Sequence, residues 1–290
     1  MKERFMALTS GLRRDFNELT AAIRAPNNDA CYVTPDAVDL YSHRSALQGP
    51  ERAIVNRLGK WLAGRRMLDI GVGGGRTTLH FAPLVATYVG IDYSPPMITA
   101  CKARIGNEMD NITFAVGDVR DLSSFNTGAF DFVLFSYNGL DYIGHDDRLR
   151  AFSELHRVCA PSGFVCFSSH NLGFVPELFR LGPHRPANAY RRARRRLLLM
   201  VLRLRNRPRR LLAQDRYAIV HRPPDEFGAM VYYVRPSEQL TQLDRAGLAA
   251  VDVYGLDGRR IALAKVDDAR DQWLYYLATP KRHASSHPSC

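Results

Sequence analysis

A run of glycines directly follows a hydrophobic segment in the first third of the chain. The segment MLDIGVGGGRTT begins at Met67. Its glycines are Gly71, Gly73, Gly74 and Gly75. Glycine lets the backbone adopt positive φ angles and approach a ligand without a Cβ atom in the way. Because a tight strand-to-helix turn needs glycine in any case, the run alone predicts a β-α unit and only weakly a ligand site.

Apolar segments bounded by turn residues recur along the chain, with helical stretches between them. The predicted strands are Met67–Val72, Tyr88–Asp92, Ile112–Asp118, Phe130–Ser136 and Gly163–His170. One intervening helix is predicted at Asp147–Cys159, with Asp146 as its N-cap. This alternation predicts an α/β fold with a parallel sheet.

The pattern changes near the C-terminus. Ala249–Leu256 and Trp273–Ala278 favour two strands with a hairpin-like connection, one of them antiparallel to the sheet. The residues before this pair are too many for a single crossover helix and predict an inserted lobe. The predicted units are an N-terminal helical segment at 1–66 with a helix at Leu12–Ile23, a core at 67–171, the lobe at 172–247, strands within 248–281, and a tail at 282–290.

The formal net charge of +11 is concentrated in the predicted lobe. Between Arg180 and Arg222 there are 14 arginines, no lysine and one acid, a local charge of +13, whereas the remaining residues carry −2. Apolar residues with helical spacing lie inside this segment, with arginines on both sides. They are Ala193, Leu197, Met200, Val201 and Leu204. The pattern predicts a basic amphipathic helix.

Three roles are open for this helix: a lid or dimer contact, binding of an anionic membrane through Arg191–Arg210, and RNA binding. RNA is the least favoured partner, because no stacking aromatics alternate with the arginines. The sequence has no apolar stretch long enough for a signal peptide or a bilayer span, so we expect a cytoplasmic protein, with peripheral binding at the inner membrane face as the alternative. Five scattered cysteines predict reduced thiols and no metal site.

Three further features narrow the ligand of the glycine run. A dinucleotide fingerprint would have its third glycine at position 76, where the chain has Arg76. The next strand ends in Asp92, where a carboxylate accepts hydrogen bonds from ribose hydroxyls. The third strand ends in Asp118 and Val119, which suit an exocyclic amine and an adenine face. All three lie at carboxyl ends of strands, the expected ligand edge of the sheet.

The motifs DIGVGGG, GIDYSPPM, GDVRDL, FDFVLFS and APSGF together resemble, in order and spacing, those of class I S-adenosylmethionine-dependent methyltransferases. The resemblance covers roughly Met67 to Asn171. It implies a Rossmann-like, seven-stranded, mostly parallel sheet with an antiparallel last strand, and S-adenosylmethionine as cofactor. Carried over by position, it assigns Asp69, Gly71, Gly73 and Gly75 to the methionine part, Asp92 and Tyr93 to the ribose, Asp118 and Val119 to the adenine, Ser136 to the floor below the methyl group, and Tyr41 to the amino-acid end. For Asp69, hydrogen bonding that holds the glycine turn explains the residue equally well.

The acceptor is less constrained by the sequence. The segment from Ser136 departs from the Asn/Asp-Pro-Pro-aromatic motif of enzymes that methylate nucleobase or amide nitrogens, which disfavours those acceptors. No Asp-Asn pair like that of metal-dependent catechol-type enzymes follows the strands, so we expect no metal. His170 and Asp141 are the candidate bases. A hydrogen-bonded strand end explains His170 as well, and a cap or loop contact explains Asp141.

Polar and aromatic residues near these strand ends favour a hydroxyl acceptor, above all on a sugar or glycan, since rings stack on sugar faces. The alternatives are N-methylation of a small amine or protein, a protein that binds the donor without consuming it, and an RNA-binding protein acting through the arginine-rich segment.

Overall fold

The structure is a computed structural model that describes residues 32–106, 109–178, 197, 199–204, 206, 216–222 and 229–281. The predicted helix Leu12–Ile23 and the predicted tail at 282–290 lie outside these residues. Within the described residues, Cys101, Cys159 and Cys166 are buried free thiols, as predicted. No helix of the described part has the length and apolar character that a bilayer crossing requires.

Ten strands form one mixed sheet within the described residues. They are β1 Arg66–Ile70, β2 Thr87–Asp92, β3 Ile112–Val116, β4 Phe130–Phe135, β5 Cys159–Asn171, β6 Tyr217–His221, β7 Met230–Val234, β8 Leu248–Tyr254, β9 Arg260–Ile261 and β10 Trp273–Pro280. The main order is β3-β2-β1-β4-β5-β10-β8-β9. Strands β1 to β5 pair in parallel, whereas β10 is antiparallel to both β5 and β8. This confirms the mostly parallel sheet with an antiparallel last strand.

Besides the helical residues 197, 199–204 and 206, seven helices of the described part connect or cover the strands. They are α1 Pro35–Ser42, α2 Gly49–Leu62, α3 Thr78–Phe81, α4 Pro95–Ile105, α5 His145–Val158, α6 Val175–Leu178 and α7 Pro236–Arg245, with short 3-10 helices at Ala82–Leu84, Gly139–Tyr142, Leu172–Phe174 and Leu263–Asp268. The prediction of Asp146 as N-cap of the fifth helix was wrong. Gly144 is the N-cap, and Asp146 lies in the first turn, where its charge complements the helix dipole.

The sheet has a hydrophobic core on each face, as the period-two alternation of strand side chains requires. On β4, Val133 belongs to the same buried cluster as Phe152 of α5. Its neighbour Leu134 belongs to the opposite cluster, with Ile54 of α2. The layers are therefore helix, sheet and helix, and the carboxyl ends of the parallel strands open toward one edge.

Two elements differ from the sequence prediction. The C-terminal strands β8 and β10 pair directly, but their connection contains β9 and a 3-10 helix instead of a short hairpin loop. The sequence predicts a helical lobe, yet the described part of the lobe also holds the antiparallel pair β6 and β7. Strand β7 pairs in parallel with His170 and Asn171, beyond the last pairing of β4 with β5 at Phe167. The lobe thus extends the sheet at the ligand edge.

Candidate cofactor and acceptor site

A cavity lies at the carboxyl ends of β1 to β4. The predicted residues in its wall are Tyr41, Gly71, Gly73, Asp92, Tyr93, Asp118, Val119 and Ser136. The other predicted residues, Asp69, Gly75, Asp141 and His170, do not line it. The remaining wall includes Tyr32, Arg44, Arg76, Tyr137 and Tyr142. Residues from consecutive strand ends and from the N-terminal helical segment therefore share one chamber.

The glycine turn lines this cavity, and neighbouring elements pack closely against it. Gly71 and Gly73 have φ angles of 65° and 54°, which favour glycine. A Cβ on Gly71 would lie 2.9 Å from the Phe135 ring, and one on Gly74 would lie 2.4 Å from the Cα of Ser42. Gly75 instead packs on α4, where a Cβ would meet the Sγ of Cys101 at 2.9 Å. Ordinary side chains would thus separate α1, α4 and β4 from the turn.

Asp69 is held inside the protein beneath the glycine turn. Its Oδ2 accepts hydrogen bonds of 2.5 Å from the hydroxyls of Thr77 and Tyr88. Burial raises the pKa of Asp69 to about 6, although both hydroxyls favour the carboxylate. This geometry supports the alternative that Asp69 holds the turn in place.

Asp92 lies at the end of β2 and orients two backbone segments. Its Oδ2 accepts a hydrogen bond from the backbone N–H of Gly73 and its Oδ1 one from that of Ser94, both at 2.9 Å. Burial raises the pKa of Asp92, while these two donors oppose the rise. Each carboxylate oxygen keeps a further lone pair, and the residue lines the cavity.

Asp118 follows β3 and is paired with Arg120. The Arg120 side chain contacts both carboxylate oxygens of Asp118, at 2.6 Å between Nη2 and Oδ2. Burial raises the pKa of Asp118, but the guanidinium hydrogen bonds outweigh burial and hold it below its ordinary value. Val119 is buried beside it in the cavity wall.

A buried polar network lies under the predicted floor residue Ser136. The carboxylate of Glu51 accepts two 2.6 Å hydrogen bonds from the Arg76 guanidinium. It also accepts hydrogen bonds from the hydroxyls of Ser136 and Tyr275. Burial raises the pKa of Glu51, yet the hydrogen bonds, led by Arg76, hold it below its ordinary value. The network joins α2, the glycine turn, β4 and β10.

Two consecutive residues after β4 adopt left-handed backbone conformations. Tyr137 and Asn138 have φ angles of 59° and 63°, which are uncommon for residues other than glycine and cost free energy. The Asn138 N–H donates a 2.7 Å hydrogen bond to the Oγ of Ser168. Tyr137 consequently enters the cavity wall, whereas the Asn138 side chain lies 3.5 Å from the Nε2 of His170.

Tyrosines form much of the wall beyond the glycine turn. Tyr32 makes edge-to-face contacts with Tyr41, Tyr93 and Tyr142 at centroid distances of 5.6, 6.4 and 5.1 Å. The Arg44 guanidinium lies 5.0 Å from the Tyr41 ring centroid and 4.9 Å from that of Tyr137. Rings from separate chain segments thus enclose this end of the cavity.

Asp141 and His170 form a buried pair behind this wall. Asp141 Oδ1 accepts hydrogen bonds from the Nη1 of the buried Arg148 at 2.7 Å and from the Oγ of Ser169 at 2.8 Å. Its Oδ2 accepts from the backbone N–H of His170 at 2.7 Å and lies 2.7 Å from the Nδ1 of the same residue. Both oxygens are therefore engaged, and Asp141 fixes the ring orientation of His170.

Comparison with known proteins accounts for this arrangement. A family model described as a methyltransferase domain matches residues 67–163. Phosphoethanolamine N-methyltransferase 2 of Caenorhabditis elegans is 30% identical over 139 residues, 47% of this chain and 31% of the relative. Magnesium-protoporphyrin O-methyltransferase of Rhodobacter capsulatus is 35% identical over 103 residues, 35% of this chain and 44% of the relative. A solved S-adenosylmethionine-dependent methyltransferase of Clostridium acetobutylicum has a TM-score of 0.57 at 12% identity, covering 81% of this chain and 92% of that one.

Residues 67–163 of the chain match a methyltransferase domain, and the fold is that of a solved S-adenosylmethionine-dependent methyltransferase. The match covers less than half the length of each of these two curated relatives. These matches confirm the predicted methyltransferase domain, and the solved structure confirms the predicted fold. The relatives include both N- and O-methyltransferases by name, so they leave the acceptor of this methyltransferase domain open.

Several residues in and behind the cavity wall belong to no motif of the sequence. Glu51 stands out by no pattern, because a glutamate near the start of a helix is ordinary. The one available signal was Arg76, whose charge in the glycine turn calls for an acidic partner. Arg148 was placed in a helix without a role, yet it is fully buried beside Asp141. Tyr32 and Arg44 precede the recognised motifs and belong to no pattern. Within the described part of the chain, no group of acidic, histidine or cysteine residues could hold a metal ion.

Proposed function

We propose that this protein transfers the methyl group of S-adenosylmethionine to a hydroxyl of a small molecule, with sugars and glycans as the first class to test. The observation that carries the proposal is the continuous cavity from the glycine turn to the tyrosine wall. One end suits the donor, and the other offers rings and guanidinium groups to an acceptor. The whole activity is a proposal because the relatives match only part of their own length.

The cavity wall fits S-adenosylmethionine on three points. The backbone of Gly71 and Gly73 is open to the methionine end because no Cβ intervenes. Asp92 has one lone pair on each oxygen beyond its backbone partners for the ribose hydroxyls, and Tyr93 lines the cavity beside it. Asp118 and Val119 are placed for the adenine, where Asp118 shares its acceptors with Arg120.

When bound, S-adenosylmethionine supplies a methyl group activated by a sulfonium. The chain's own residues then contribute alignment and exclusion of water, which are the main needs of an in-line displacement. Ser136 is fixed by Glu51 and Tyr275 and forms a rigid part of the wall between the two ends. Tyr137 and Tyr142 cover the acceptor side.

The charges of the wall favour a neutral hydroxyl over an ammonium acceptor. Among the described residues that line the cavity, the carboxylates are Asp92 and Asp118, and both lie at the donor end. Arg76 is neutralised by its pair with Glu51, whereas Arg44 lies against the Tyr41 and Tyr137 rings, where its like charge disfavours a cationic acceptor. Tyrosine rings and hydroxyls suit the apolar faces and hydroxyls of a sugar.

His170 is proposed as the positioning residue for the acceptor side. With its Nδ1–H donated to Asp141, its Nε2 keeps a lone pair directed to the Asn138 side chain. His170 thereby holds the left-handed segment that places Tyr137 in the wall. We expect His170→Gln to raise the KM for the acceptor and to leave donor affinity within about twofold.

N-methylation of a small amine is the second candidate. It is favoured by the tyrosine rings, whose faces attract cations, and by the phosphoethanolamine N-methyltransferase among the relatives. The two candidates predict different acceptor atoms and are separated by a single assay.

The experiment incubates the full chain with methyl-labelled S-adenosylmethionine and three acceptor panels: sugar nucleotides with glycosides, phenols, and small amines including phosphoethanolamine. Mass spectrometry then locates the label. Methyl ethers of sugars or other hydroxyl compounds support the proposal, whereas label only on nitrogen, or on no acceptor while the donor binds, overturns it.

Donor binding is measured separately by calorimetry, so that a failed acceptor is not mistaken for a failed donor site. Asp92→Ala should weaken donor affinity about 100-fold, since it removes a charged acceptor of hydrogen bonds and frees the Gly73 N–H. Asp131→Ala is the matched control, because Asp131 lies at the amino end of β4 and pairs with Arg66. Equal donor affinity in both variants would contradict the assignment of Asp92.

A further inference from the structure

An exposed apolar stripe lies on the arginine-rich segment. Residues 197, 199–204 and 206 are helical. Leu197, Met200 and Leu204 are 51%, 58% and 71% exposed. Their spacing of three and four residues places them on one face of a helix. Three large apolar side chains therefore face solvent side by side.

The other side of the same helix is already anchored to the protein. Leu199 and Leu202 are buried in a cluster with Val220 of β6 and with Val231 and Tyr233 of β7. The exposed stripe is therefore not needed to hold the helix in place. An apolar surface that the described protein leaves uncovered indicates a binding surface.

The charge of the segment decides which occupant suits the stripe. The 14 arginines and single acid between Arg180 and Arg222 give a charge of +13, so the occupant must be negative as well as apolar. RNA offers phosphates but no cover for leucine and methionine side chains. A second copy of the chain would bring the same positive charge to the contact. An anionic bilayer offers phosphates at its surface and hydrocarbon directly below them.

We propose that Leu197, Met200 and Leu204, flanked by the arginines, form a docking surface for an anionic lipid bilayer. The stripe enters the boundary between headgroups and acyl chains, and the arginines bind lipid phosphates. This inference does not depend on the proposed acceptor.

The docking surface is connected by packing to the acceptor end of the cavity. Tyr32 and Tyr142 pack against the cluster that buries Leu199 and Leu202, and both tyrosines line the cavity. A helix bound at a bilayer is therefore separated from the cavity wall by this one cluster. Membrane binding would place the acceptor end close to the lipid surface.

The test is flotation of the full chain with two kinds of vesicle, phosphatidylcholine alone and phosphatidylcholine with about one third phosphatidylserine. We expect binding to the anionic vesicles and little to the neutral ones. The triple variant Leu197→Ser, Met200→Ser, Leu204→Ser should bind the anionic vesicles at least about tenfold more weakly, because it loses the buried apolar area.

A matched triple variant controls for the loss of exposed leucines in general. Leu40→Ser, Leu79→Ser and Leu263→Ser change side chains that are 44%, 39% and 40% exposed outside the stripe, and this variant should bind vesicles as the unchanged chain does. Leu204→Glu is a second stripe variant that needs no repacking, and its negative charge should also weaken binding. Donor affinity and thermal melting verify that each variant is folded.

Three results would overturn the proposal: equal binding to neutral and anionic vesicles, unchanged binding by the stripe variants, or no binding to either vesicle at moderate salt. RNA binding, or a concentration-dependent dimer, that is lost in the stripe variants while vesicle binding is absent would assign the surface to that other partner.

Discussion

The two ends of the cavity differ in how their residues are distributed along the chain. At the donor end, the glycine turn, Asp92 and Asp118 come from one continuous stretch, residues 71–119, and follow successive strands. At the acceptor end, tyrosines arrive from separate segments, with Tyr32 and Tyr41 before the sheet and Tyr142 after β4. The donor end therefore has a motif that can be recognised in a sequence, whereas the acceptor end exists only after folding.

The buried charges reinforce the contrast. Glu51 and Arg76 join the N-terminal helical segment to the glycine turn, and Asp141 and Arg148 brace the strand end behind the tyrosines. Each pair has side chains that are at most 11% exposed. Removing one partner leaves the other charge in a poorly solvated place, so these pairs show how strongly each end depends on its support.

The largest expected effect tests the support under both ends. Glu51→Ala removes the acceptor of five hydrogen bonds, two of them from Arg76. The unpaired guanidinium should lower the free energy of unfolding by about 3 to 5 kcal/mol. Urea denaturation with and without donor measures the change. Asp257→Ala, which breaks the exposed pair with Arg259, should lower the free energy of unfolding far less, because solvent screens that pair.

A double variant decides whether the unpaired charge causes the loss. Adding Arg76→Met to Glu51→Ala removes the uncompensated guanidinium and should recover part of the stability. If Glu51→Ala costs no more than Asp257→Ala, or the double variant is less stable than Glu51→Ala, the two ends of the cavity do not share this support.

The next effect concerns the donor end alone and depends on pH. The pKa of Asp69 is raised by burial to about 6, above the ordinary aspartate value, so the native state binds this proton more tightly than the unfolded chain. Its contribution to stability is full below the ordinary pKa and is lost as pH rises through about 6. Asp69→Asn lacks this titration. Relative to the unchanged chain, it should gain about 2 kcal/mol of stability between about pH 4 and about pH 7.5.

Asp131→Asn provides a control of opposite sign. Hydrogen bonds from Arg66 outweigh burial and hold the pKa of Asp131 below its ordinary value, so its contribution is present at neutral pH and is lost as pH falls. Chemical denaturation across the pH range measures both variants. Parallel pH profiles of Asp69→Asn and the unchanged chain would show that Asp69 is not a buried, reluctant carboxylate.

The same contrast explains what the sequence could predict. The alternation of strands and helices, and the carboxylates that follow successive strands, are short-range patterns. The sequence therefore predicted the parallel sheet, and it predicted Asp92 and Asp118 as residues of the ligand edge, where both line the cavity. The roles of Arg148 and Tyr275 depend on packing between distant segments, and no local pattern records it. The sequence did not predict β6 and β7, because the arginine-rich segment before them has the apolar spacing of a helix. Their apolar alternation is short.

The smallest expected effect tests the acceptor end. The Tyr142 hydroxyl hydrogen-bonds with Tyr32, and burial raises the pKa of Tyr142 to about 12, so the hydroxyl stays protonated. Tyr142→Phe removes that link and keeps the ring. If the tyrosine wall serves the acceptor, its KM should rise about fivefold, equivalent to about 1 kcal/mol, with donor affinity unchanged. Steady-state kinetics with the acceptor that the labelling experiment identifies, and calorimetry with the donor, measure the two quantities.

Tyr88→Phe is the matched control, since it removes a buried hydroxyl that donates to Asp69 below the donor end. It should lower stability and leave the acceptor KM unchanged. Each variant loses one tyrosine hydroxyl, at opposite ends of the cavity. If the two ends are separate, only Tyr142→Phe should raise the acceptor KM. A loss of donor affinity in Tyr142→Phe as large as its rise in acceptor KM would show that the tyrosine wall contacts the donor. The boundary between the donor end and the acceptor end would then lie beyond Tyr142.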